Sequence, residues 1–174
     1  MLMQNNRTSL FLRSYSIFTI LAVLIFTLGF ATTTSAATLP SITPTSLSSN
    51  EQISLSLINS ERAKTGAKPL QNDLTLNAIA EVRAKAMLAS GRISHIIPVL
   101  GSHGTTLRMY NVSYKTASEN LQYGARSPYE AHMYLMQSWS HRNNILNRNF
   151  THVGIAIIPN GRGGQLQVQL FVGR

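Results

Sequence analysis

The chain has no cysteine. Disulfides contribute nothing to its stability, and a thiolate metal site, a cysteine nucleophile and lipid attachment at an N-terminal lipobox are all excluded. Charge is also sparse: 12% of the 174 residues are charged, with only six Asp and Glu against 15 Lys and Arg. With 44% hydrophobic residues, the chain can bury a sizeable core. Stability must come from packing alone, which a domain of about 120–140 residues can manage. The sequence carries no internal repeat and no nucleic-acid motif, so nucleic acid is not an expected partner.

An apolar run long enough to span a bilayer is missing too. The longest, Tyr15 to Phe30, falls short of the roughly 20 residues a spanning helix needs. It follows a basic stretch with Arg7 and Arg13 and precedes the small residues Thr34-Ser35-Ala36-Ala37. Residues 1–37 therefore read as a signal peptide cut after Ala36 or Ala37, with an uncleaved anchor as the competing reading. Cleavage would leave 13 Lys and Arg against six acids, a formal charge of +7. Such an exported protein meets anionic surfaces, so a cell-wall polymer or a membrane surface is an expected partner. Lys and Arg are scattered along the chain, however, and the basicity also serves solubility.

Residues 38–50 are rich in Ser, Thr and Pro and read as a flexible linker. Asn50 is placed to cap a first helix that buries Ile53, Leu57 and Ile58 and stops at Gly66. Asn72 or Asp73 caps a second. Its apolar face runs through Leu76, Ile79, Ala80, Ala84, Met87 and Leu88, with Glu81, Arg83 and Lys85 on other faces and a stop at Gly91. Residues 92–117 read as a long ordered loop. Ser127-Pro128-Tyr129-Glu130 is a helix start, and that helix is expected to run to about Gln137. Ser140 is expected to cap a short helix ending at Leu146. Strands follow at Val153 to Ile158 and Gln165 to Val172, joined by a turn at residues 160–164. Leu166, Val168 and Leu170 alternate with Gln165, Gln167 and Gln169, which predicts one buried and one polar face.

Five histidines are the main source of chemistry. His103, His132 and His152 read as structural or exposed. Three segments stand out: Ser94-His95 just after the second helix, Ser118-Glu119-Asn120 entering a β-like run, and Ser140-His141 opening a helix. A histidine in a helix's first turn feels the positive end of the dipole, which favours the neutral imidazole.

These segments resemble, in order, those of the CAP superfamily, closest to its bacterial secreted branch. Asn59 to Leu70 (NSERAKTGAKPL) is similar to that branch's N-x-x-R-x-x-x-G-x-x-P-L. Ser94-His95, Glu119-Asn120 with Ser118 in place of a glycine, His141 to Leu146 (HRNNIL) and Phe150 to Ile155 (FTHVGI) resemble the remaining motifs. The resemblance implies an α+β fold, an α-β-α sandwich with a small antiparallel sheet between helical layers over residues 51–174. It implies a cleft holding His95, Glu119 and His141, with Asn120 beside them. Ser138 stands where the fullest site has a second glutamate, and Leu135 where it has a tryptophan. Trp139 is expected either at the cleft rim or filling the gap left at Leu135.

On this reading His95 and His141 could hold Zn²⁺ or another divalent metal, with Glu119 reaching a bound water or an imidazole N–H. Two protein ligands are fewer than the three of a usual catalytic zinc site. The expected function is a secreted binding or signalling module for an extracellular ligand, and the alternative is a metal-assisted hydrolase acting on cell-wall or protein substrates.

Overall fold

The computed structural model describes residues 38–174, so the leader reading at 1–37 lies outside the described residues. Helix α1 (Ser49–Lys64) is capped by Ser48 rather than Asn50: the Glu51 carboxylate accepts from the Ser48 backbone N and Oγ, both at 2.8 Å. Its buried stripe is Ser54, Ile58 and Arg62. Ile53 and Leu57 are only half-buried, because the i, i+4 row facing the interior starts one residue later than the apolar residues suggest. Strand β1 (Gln71–Asn72) precedes α2 (Leu74–Ala89), where Asp73 is the cap and accepts from Leu76 N at 3.0 Å.

The segment expected to be a single loop contains a helix, α3 (His103–Met109), started by Ser102 accepting from Thr105 N. It also contains the beginning of β2 (Thr116–Tyr123). Its short helix has too few apolar residues to show a period in the sequence. Helix α4 (Pro128–Gln137) starts at the expected Ser127 cap. Ser138 ends α4 and, in place of Ser140, precedes α5 (Trp139–Leu146). Strands β3 (His152–Pro159) and β4 (Gln165–Gly173) close the chain.

The sheet order is β1-β3-β4-β2. The three long strands are antiparallel, and the two-residue β1 adds in parallel to β3, so the sheet as a whole is mixed. One face packs Ala156, Leu166, Val168, Leu170 and Val172 against α2 and against Leu107 of α3. The other packs Val153, Ile155 and Phe171 against Ile58, Leu135 and Ile145 of α1, α4 and α5. This is the expected α-β-α sandwich, with the sheet between two helical layers.

That second helical layer overturns the reading of β4 as polar on one face. Every residue of β4 is buried, including Gln165, Gln167 and Gln169. Two of the glutamines meet polar partners: Gln167 Nε2 donates to Ser54 Oγ at 2.7 Å, and Gln169 Oε1 accepts from Asn120 Nδ2 at 3.2 Å. The Ser/Thr/Pro stretch before α1 lies along the domain. Leu39 and Ile42 pack against the α2-side core, Pro40 O accepts from Tyr110 Oη, and Thr45 O accepts from Asn77 Nδ2 at 2.7 Å.

Close approach between α2 and the sheet depends on Gly154. A Cβ there would run into the carbonyl carbon of Leu76, a backbone atom that cannot swing aside. Gly154→Ala is therefore expected to lower stability by about 1–3 kcal/mol, the usual range for overpacking, read as a drop in the urea or thermal midpoint.

Candidate functional site

β2 forms one edge of the sheet, and successive residues on a strand point to opposite faces. Glu119 lies opposite Leu170, on the α2 side, and Asn120 opposite Gln169, on the side of α1, α4 and α5. Two neighbouring residues thus serve two different layers. Glu119 reaches the loop after α2, where its Oε2 is 2.9 Å from His95 Nδ1. Asn120 reaches α5: its Nδ2 donates to His141 O at 3.1 Å and its Oδ1 accepts from Asn144 Nδ2 at 2.8 Å. The histidines reach the free edge of β2 from opposite sides.

Glu119 is not an open carboxylate. Arg83 Nε donates to Oε1 and Arg83 Nη2 to Oε2 at 3.0 Å, in a pair whose side chains are wholly buried. The sequence reading puts Arg83 on an outer helix face, but it lies four residues after Ile79 and four before Met87, on the buried row. Its remaining donors go to Thr106 Oγ1 at 2.7 Å, Gly101 O at 3.3 Å and His95 O at 3.1 Å. One guanidinium therefore joins α2, the histidine loop, α3 and β2. Burial by itself would raise the Glu119 pKa, but hydrogen bonds from His95 and Arg83 and the Arg83 charge outweigh it, so the net shift is downward.

A carboxylate accepting from His95 Nδ1 places the ring proton there and leaves Nε2 as the lone-pair nitrogen of the neutral ring. The His95 side chain is 54% exposed. His141 sits in the first turn of α5 and is half-buried. Its pKa is lowered, first by burial and then by the His95 charge. Both effects favour neutral imidazole.

Ser138 lies at the α4–α5 junction, with its O accepting from Arg142 N and its Oγ 3.3 Å from Ser140 Oγ. It supplies no acid. Leu135 is itself buried in the core, while Trp139 is 71% exposed, so Trp139 is a surface residue and fills no gap at Leu135. In the loop after α2, Ile96 and Val99 are 71% and 61% exposed. Val99 has φ +69 in a turn closed by Leu100 N donating to Pro98 O at 2.9 Å and by the Ile97–Gly101 bridge. A β-branched residue held in the left-handed region stores strain.

His103, read from the sequence as structural or exposed, lies close enough to feel the charges of Glu119, Arg83 and His95, although burial dominates and lowers its pKa. Even so, no three His, Asp or Glu among the described residues are arranged around a common ion. His132 is buried with neither ring nitrogen hydrogen-bonded, and burial lowers its pKa, as for a neutral core residue. His152 starts β3 beside Thr151 Oγ1. The residues that sequence reasoning missed are Arg83 and Arg62. The signal was there: each is a basic residue one helical turn beyond a core isoleucine, Ile79 or Ile58.

The sequence profile of the CAP family, described as the cysteine-rich secretory protein family, matches residues 55–172. The chain belongs to the CAP family. A Bacillus subtilis CAP relative, "Uncharacterized protein YkwD", is 38% identical over 143 residues, 82% of this chain and 52% of that protein. The chain thus spans about half the length of this curated relative. Its CAP domain is similar to an SCP-domain extracellular protein of Bacillus anthracis, with TM-score 0.66 and 26% identity over 71% of this chain and 40% of the other. The CAP fold recurs in an outer surface protein of Borrelia burgdorferi, with TM-score 0.68 and 20% identity over 77% of this chain and 99% of the other.

The buried pair makes the CAP domain acid-sensitive. Because the folded Glu119 pKa is depressed, its contribution is fully present above the unfolded value of about 4.5 and is lost as pH falls through the folded value. Glu119→Gln leaves Arg83 buried without a counter-charge and is expected to cost about 3–5 kcal/mol near neutral pH. The gap between wild type and variant, measured by urea denaturation, should shrink below about pH 4.5.

Proposed function

We propose that this CAP protein is an extracellular ligand-capture module, whose cleft binds through His95 and His141 and through the apolar rim of Ile96, Val99 and Trp139. The observation that carries this reading is the occupied Glu119: its oxygens are taken by Arg83 and His95, so it orients an imidazole instead of acting as a base. The similar proteins of Bacillus anthracis and Borrelia burgdorferi are described as extracellular and outer-surface, and the profile as secretory, which supports export of this chain. The rim suits a ligand with an apolar portion, since its three side chains are among the most exposed large hydrophobics of the described residues.

A divalent metal such as Zn²⁺ fits this donor set only in part. His95 Nε2 and a neutral His141 nitrogen would hold it, with the remaining positions left to water or ligand. An ion bound there would supply Lewis acidity and polarise a ligand oxygen. The chain's own contribution is to fix the His95 ring through Glu119 and to keep His141 neutral by burial. The hydrolase reading lacks a free carboxylate: Glu119 is paired and Ser138 occupies the other acid position, so any base would have to be an imidazole.

Calorimetry with Zn²⁺ should give weak binding that either His95→Ala or His141→Ala largely removes. Binding requires neutral imidazoles, so it should fade as pH falls. The lowered His141 pKa moves that site's loss below the ordinary value of about 6.5. Equal affinity in wild type and the double variant would overturn the two-histidine site. The purified protein is also expected not to turn over peptide, ester or peptidoglycan substrates; turnover abolished by His141→Ala would establish the hydrolase instead.

A further inference from the structure

We infer that a basic groove at the β1-and-Gly173 end of the sheet binds a linear phosphodiester polymer, anchoring the protein independently of its histidine cleft. The groove is built from three hollows of about 570, 630 and 450 Å³. The first two share Asn111 to Tyr114, and the first and third share Lys115 and Arg174, so the three adjoin in a row. An extended ligand fits such a shape better than a compact one.

Its charge follows from where the acids are engaged. Among the described residues Glu61, Asp73, Glu81 and Glu119 pair with Lys64, Arg174, Lys85 and Arg83. Glu51 is taken by Ser48 and Ile157 N, and Glu130 by Arg126 N and Tyr134 Oη. The excess cations are left without carboxylates, and three of them, Arg108, Lys115 and Arg148, line these hollows, while no lining residue is acidic. Asp73, which neighbours them, is neutralised by Arg174 at 2.7 Å.

The cations are partly preorganised. Arg108 Nη1 donates to Tyr114 Oη at 3.1 Å, and Tyr114 Oη donates to Gly104 O at 3.3 Å. Arg148 Nη2 donates to Thr65 O at 2.6 Å. Guanidinium groups pair phosphate oxygens through two parallel N–H bonds, as they pair carboxylates, so what sets a phosphodiester polymer apart here is the neutral unit between its charges. The tyrosine rings of Tyr110 and Tyr114, interleaved with the cations, offer apolar surface to the neutral polyol units between phosphates. The tertiary fold gathers these groups: α3 brings Arg108, the segment leading into β2 brings Lys115, and the α5–β3 loop brings Arg148.

The test is binding of soluble poly(glycerol phosphate) to the purified protein, followed against salt. The triple variant Arg108→Ala, Lys115→Ala, Arg148→Ala is expected to bind at least about tenfold more weakly at roughly 0.1 M salt, and its slope of log K against log salt should fall by about 2, near 0.7 for each lost phosphate contact. A charge-matched triple, Lys68→Ala, Arg92→Ala, Arg162→Ala, should stay within about threefold of wild type, because the salt-dependent term follows the phosphates actually contacted. Equal weakening would reduce the effect to net charge and overturn the groove. Binding poly(glutamic acid) of matched charge as tightly, or binding anionic phospholipid vesicles in preference to the polymer, would overturn the assignment of the ligand. The Lys115 ammonium makes no hydrogen bond among the described residues, so Lys115→Glu carries the same test if the triple variant is poorly folded. The double His95→Ala, His141→Ala variant should bind the polymer like wild type, which separates this groove from the cleft.

Discussion

The Arg83 guanidinium and the Glu119 carboxylate are both wholly buried, and the site is assembled around their pairing. Besides the carboxylate, Arg83 bonds a threonine hydroxyl and two loop carbonyls. Removing either charge would strand the other in the interior, so the pair has to be kept or lost together. Arg62 has the matching task in the opposite layer. With no acid beside it, it donates to Lys68 O, Ile145 O, Asn147 O and Phe150 O, fixing the end of α5. One buried arginine thus secures the His95 loop and another secures the helix that carries His141.

This framework occupies the one glutamate of the candidate site. Its lone pairs are committed to holding Arg83 and orienting His95. Asn120, the next residue on the same edge strand, does comparable work for α5 through its amide. The strand's alternation places these tasks on opposite faces of the sheet edge. The result is that β2 ties the His95 loop on one face and the His141 helix on the other to one rigid frame.

The same scarcity of acids shapes the exterior. Six acidic side chains against an excess of Lys and Arg leave each acid already engaged in the described part of the molecule. Basic residues that look evenly scattered in the sequence are therefore not equivalent in the fold. Some are neutralised, Arg62 is buried against carbonyls, and Arg108, Lys115 and Arg148 line adjoining hollows although they are far apart in the sequence.

Much of the fold could be read directly. The caps at Asp73 and Ser127 and the turn around Asn160 to Gly164 are local signals, set by hydrogen bonds within a few residues. Motif order pointed to the family and so to the sandwich. Contacts between distant segments were a different matter. Nothing local says that the glutamines of β4 lie beneath α1, or that Arg83 faces inward, because a polar residue on a buried row is tolerated only when partners far along the chain meet it. Residue types and spacing determined which histidines and acids are present; tertiary packing decided that Glu119 is committed to Arg83 and His95, since only the fold brings those donors within hydrogen-bond range.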